Sequence, residues 1–108
     1  MAYTTIDDPS AYFQTKTYAG TDASPQAFTL DGNSDLQPDW VWIKNRGYAN
    51  KHVLFDSVRG VEKSLTTNST AVEVNQNADG GYLSAFNSDG FTLTEGSSSD
   101  NDTNDNRY

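Results

Sequence analysis

The stretch that most constrains this chain is Pro38-Asp39-Trp40-Val41-Trp42-Ile43-Lys44-Asn45-Arg46, which holds both tryptophans of the 108-residue sequence. Read with the two-residue period of a strand, Trp40, Trp42 and Lys44 share one face while Val41 and Ile43 share the other. Both faces carry large apolar side chains. A strand of that kind is normally covered on both sides, so the pattern predicts a central strand with Trp40, Trp42 and Ile43 in the core, in preference to a ligand platform made by the two tryptophans. Pro38 suits its start, where no ladder N–H is needed, and Asn45-Arg46-Gly47 suits the turn that ends it.

Further strands are predicted over Tyr12–Tyr18, Gln26–Leu30, His52–Asp56, Val61–Leu65, Thr70–Val74, Tyr82–Phe86 and Phe91–Leu93. Asp31-Gly32-Asn33-Ser34, Ser57-Val58-Arg59-Gly60 and Asn87-Ser88-Asp89-Gly90 separate them as turns. In His52–Asp56, Leu54 points away from Val53 and Phe55, so this strand too is expected to be covered on both sides. Only 34% of residues are hydrophobic but 12% are Phe, Trp or Tyr. The core must therefore be made of few, large side chains, with Leu54, Phe55 and Phe91 among them. The fold class this implies is all-β, an antiparallel β-sandwich. Residues 1–11 form an extended lead-in and 12–93 the sandwich domain. Residues 94–108, rich in Ser, Asn and Asp, form an acidic loop or tail too poor in apolar side chains to pack.

Charge and composition exclude several functions. Seven Lys and Arg face fifteen carboxylates, a net charge of −8, which disfavours a phosphate backbone, so no nucleic-acid partner is expected. No apolar run approaches the ~20 residues of a membrane span, and the N-terminus lacks the basic and apolar regions of a signal peptide. Membrane insertion is not expected, and synthesis as a soluble product in the cytoplasm is. Cysteine is absent, which removes disulfides and thiolate metal sites.

Much of the chain resembles a module found in tail-fibre and other structural proteins of marine bacteriophages, of the cyanophage and pelagiphage kind. The resemblance is carried by Ala2-Tyr3-Thr4-Thr5-Ile6, by Tyr12-Phe13-Gln14-Thr15-Lys16, and by the block from Leu36 to Arg46. It continues through His52-Val53-Leu54-Phe55-Asp56-Ser57-Val58-Arg59-Gly60 and Phe86-Asn87-Ser88-Asp89-Gly90-Phe91-Thr92-Leu93. It implies a concanavalin A-like jelly roll located in the virion. The Trp-rich strand that normally follows the last loop is missing after Tyr108, which would leave an open sheet edge. The resemblance and that edge together imply other virion proteins as partners and a homo-oligomer, trimeric if in a fibre. Two functions follow as expectations: a tail-fibre or receptor-binding module contacting host surface glycans, or a capsid-decoration or filament-forming protein with an assembly role only.

For glycan contact the sequence offers Tyr48 and Tyr82 as stacking surfaces, with Asn50, Asp79 and Asn87 as hydrogen-bonding groups. The alternative makes both tyrosines rim residues that close the core. Asp100, Asp102 and Asp105 present oxygens at a spacing that suits calcium but lack the glycine and distal Glu of a complete binding loop, so no metal or other cofactor is expected. Arg59 is close enough to Asp56 for an ion pair, with Lys44 or Arg46 as other partners for that carboxylate. His52 is the sole imidazole and is expected at the rim. Glu62, Glu73 and Glu95 are scattered, no Gly-x-Ser-x-Gly elbow is present, and no catalytic residue is assigned. The chain is expected not to be an enzyme.

Overall fold

The computed structural model describes residues 4–21, 25–76 and 81–95. Asp79, Asp100, Asp102 and Asp105 lie outside the described residues. A short 3-10 turn over Pro9–Ala11 precedes seven strands: β1 Gln26–Thr29, β2 Trp40–Ile43, β3 Val53–Asp56, β4 Lys63–Thr66, β5 Val74–Asn75, β6 Tyr82–Asn87 and β7 Gly90–Thr94. They form two antiparallel sheets, ordered β1-β7-β6 and β2-β3-β4-β5. No helix among the described residues is long and apolar enough to cross a membrane.

The sheets face each other across one core, as a β-sandwich does. Phe28 of β1, Val41 and Ile43 of β2, Val53 and Phe55 of β3, Leu83 of β6, and Phe91 and Leu93 of β7 form a single buried cluster. Alternation along each strand places these side chains on the inner faces. The Phe28 and Phe91 rings stand 5.6 Å apart, and Tyr18 approaches Phe28 to 4.4 Å. At β4 the inner face turns polar. Ser64 and Thr66 are buried there, and Gln76, itself buried, donates from Nε2 to Ser64 Oγ at 3.0 Å.

The β6–β7 hairpin closes through Ser88 and Asp89, with Asn87 opposite Gly90. Gly90 has φ +141°, and a Cβ there would lie 1.9 Å from the Phe28 carbonyl oxygen, so close pairing of β1 on β7 requires glycine. Asp89 ties the hairpin tip to the chain before β2. Its carboxylate accepts from Leu36 N at 3.1 Å and its carbonyl accepts from Leu30 N at 3.1 Å.

Several expectations are corrected. Residues 12–18 alternate like a strand but pair with no strand among the described residues. Side chains hold this segment instead. Gln14 Nε2 donates to the Ser10 and Ser34 carbonyls, each at 2.9 Å, Gly32 N donates to Gln14 Oε1 at 2.8 Å, and Lys16 pairs with Asp31 at 3.0 Å. Asp8 accepts from Ser10 N, Ser10 Oγ and Ser34 Oγ. Those bonds, the Ser10 hydroxyl foremost, hold its carboxyl below the ordinary value of 3.8. The fourth strand starts at Lys63 rather than Val61, because Gly60 and Glu62 adopt φ of +95° and +71° and prolong the turn. The expected strand at Thr70–Val74 is only Val74–Asn75.

The largest correction concerns Trp40-Val41-Trp42-Ile43. Among the described residues this is an edge strand, not a central one, and only its aliphatic face is covered. Val41 and Ile43 are buried, whereas Trp40 and Trp42 are 52% and 55% exposed. Leu54 is half-buried on the same outer face as the tryptophans.

Candidate functional site

The outer face of the four-stranded sheet carries an apolar row. Trp42 of β2 stands opposite Leu54 of β3, which stands opposite Leu65 of β4. The pattern is inverted at β4, where the small polar residues turn inward and Leu65 turns outward. Next to this row Trp40 is opposite Asp56. Asp56 holds Arg59 in an ion pair at 2.5 Å, and Arg59 also approaches Glu73 at 3.7 Å. The expected Asp56–Arg59 pair is thus present. Lys44 is directed elsewhere, donating from Nζ to the carbonyls of Asn45, Tyr48 and Asn50.

The two indoles are close and mutually tilted, with centroids 6.3 Å apart and planes at 45°. Trp42 is held in orientation: its Nε1–H donates to Thr67 Oγ1 at 3.0 Å, and the His52 ring lies 6.1 Å from its own. Large aromatic surface in contact with solvent is the informative kind of exposure, because indole gains most by leaving water. His52 sits half-buried beside Trp42, a rim position.

A cleft of about 660 Å³ runs along the edge of β2 that has no strand neighbour among the described residues. One wall is the extended segment 11–18, including the exposed Tyr12 and Phe13. The other is the chain from Asp35 to Lys44, with Trp40 and Trp42, and Leu30 and Phe91 border it on the core side. Lys16, Asp35, Asp39, Lys44 and Arg46 supply charged and hydrogen-bonding groups around this apolar lining. Asp39 is partly engaged, accepting from Ser57 Oγ at 2.9 Å. A volume in this range suits a ligand of one or a few rings.

The residues first singled out for glycan contact do not form one constellation. Tyr48 and Asn50 share the loop after β2, which Asn45 organises by accepting from Gly47 N at 2.8 Å and Tyr48 N at 3.0 Å. Tyr48 is exposed and Asn50 half-buried. Tyr82 and Asn87 stand at opposite ends of β6, roughly 17 Å apart at a strand's rise of about 3.4 Å per residue. Tyr82 packs against the core, and Asn87 Nδ2 donates to Thr92 Oγ1 at 2.9 Å. Among the described residues no three His, Cys, Asp or Glu side chains come together as a metal site.

From sequence, a place in the core for Trp40 and Trp42 ranks above a ligand platform, and the cleft beside them leaves no sequence signature. One signal was present: Lys44 continues the face of Trp40 and Trp42, and a lysine in the row marks a face that meets solvent.

Residues 8–108 match the family model described as a domain of unknown function, DUF7483. The chain belongs to that family. No curated protein and no solved structure matches it. The DUF7483 fold is therefore described by its own sheets, and the chemistry of the site rests on the residues that line it.

Proposed function

We propose that this DUF7483 chain is a glycan-binding β-sandwich module of a bacteriophage tail fibre, and that Trp40 and Trp42 are its principal contacts with sugar. The observation that carries this reading is the exposed indole pair on the outer face of a sheet, beside a cleft with polar groups along its walls. Sugar rings present C–H faces that stack on indole and hydroxyls that need donors and acceptors at the margin. The cleft offers both. The phage setting is supported by the resemblance of the Pro38–Arg46 block, and of the segments that follow it, to marine phage appendage modules.

A second reading, assembly without glycan recognition, is favoured by the edge of β2. A strand edge without a neighbour can accept a strand from another virion protein or a second copy, as in capsid decoration or a trimeric fibre. One experiment separates the two. The purified chain and its Trp40→Ala/Trp42→Ala variant are screened on a glycan array and on bacterial envelope polysaccharides. Binding by the native chain that the variant lacks supports glycan recognition. Retention of no glycan at all, with concentration-dependent oligomers in sedimentation, supports assembly.

A further inference from the structure

The geometry points to a glycan with a bent or helical backbone as the ligand of the tryptophan face, in preference to a flat ribbon; this rests on the glycan-binding reading above. A flat ribbon, such as a cello-oligosaccharide, presents successive sugar faces parallel to one plane. An aromatic platform complementary to it needs indoles whose planes are parallel. Here the planes are at 45°, with the centroids only 6.3 Å apart. A ribbon lying flush on one indole must therefore lift away from the other. A chain whose consecutive rings turn against each other, as in malto- or laminari-oligosaccharides, can place one ring on each.

Trp42's half of the tilt is built into the fold. Trp40 and Trp42 are two residues apart on one strand, so their Cα positions are set by the pairing of β2 with β3. Trp42 cannot rotate toward a parallel arrangement without breaking its Nε1–H bond to Thr67 Oγ1. Thr67 is thus a positioning residue that acts through Trp42.

The test uses the full chain with hexasaccharides of the cello, malto and laminari series, followed by titration calorimetry, alongside Thr67→Val and Trp40→Ala/Trp42→Ala. The expected result is that malto- or laminarihexaose binds about tenfold tighter than cellohexaose, the value of one aromatic stack. In Thr67→Val that preference shrinks toward unity while the chain stays folded, a change in selectivity that a purely structural threonine would not produce. Equal or tighter binding of cellohexaose overturns the inference and leaves glycan recognition standing. Hexasaccharide binding that survives loss of both tryptophans also overturns it, by moving the site elsewhere. Absence of binding by all three series, together with a blank glycan array, overturns the glycan reading itself.

Discussion

The two faces of the four-stranded sheet have similar hydrophobic content and opposite fates. Val41, Ile43, Val53 and Phe55 on the inner face are buried against the second sheet, while Trp40, Trp42, Leu54 and Leu65 on the outer face form a row that no described element covers. Within one four-residue strand, aliphatic side chains build the fold and aromatic ones are left to solvent. Apolar character alone therefore does not identify core. The inner residues pack against a partner sheet, whereas no described element covers the outer ones.

Substitutions should divide along that line. The largest expected effect is Phe55→Ala, because this side chain is wholly buried; a loss of about 3–5 kcal/mol should appear in chemical denaturation. Gly90→Ala should follow at roughly 2–3 kcal/mol, since the new methyl meets the Phe28 carbonyl and the backbone keeps a φ favourable only to glycine. Trp40→Ala and Trp42→Ala should each change stability by only about 1 kcal/mol or less while weakening glycan binding roughly tenfold. If instead either tryptophan variant unfolds as readily as Phe55→Ala, the division between the faces fails.

The smallest effect concerns the segment over residues 8–16. The Asp8 carboxylate is stabilised by Ser10 and Ser34, so its folded pKa lies below its ordinary 3.8. A lowered pKa contributes stability that is fully present above 3.8 and is lost as pH falls through the folded value. Protection of the Gly32 and Ser34 amides, taken relative to intrinsic exchange at the same pH, should fall over that acidic window. In Asp8→Asn that protection should already be lower at neutral pH and should not fall further in acid.

The all-β class and most strands were legible, because alternation and Gly, Asn and Asp turns are local signals. Phe55, Phe91 and Ile43 could be placed in the core from their strand positions. Trp40 and Trp42 could not be placed, since alternation shows which residues share a face but not whether another layer covers it. The face of Leu65 is hidden for the same reason: it lies outward because Ser64 and Thr66 take the inner positions beside Gln76, an arrangement settled by strands far apart in sequence. The segment 12–18 has strand-like alternation but no ladder among the described residues, and its side-chain tethers to Asp31, Gly32 and Ser34 leave no periodic trace. The cleft follows from that unpaired segment and from the edge position of β2, both of which are tertiary facts.

The most direct test of the central claim is intrinsic tryptophan fluorescence, because Trp40 and Trp42 are the chain's two tryptophans and both belong to the candidate site. The account predicts red-shifted emission readily quenched by acrylamide in the native protein. It also predicts a blue shift and protection from quenching when a glycan that binds is added. Blue-shifted emission resistant to quencher in the native protein, unchanged by any glycan, would place both indoles in a core and contradict it.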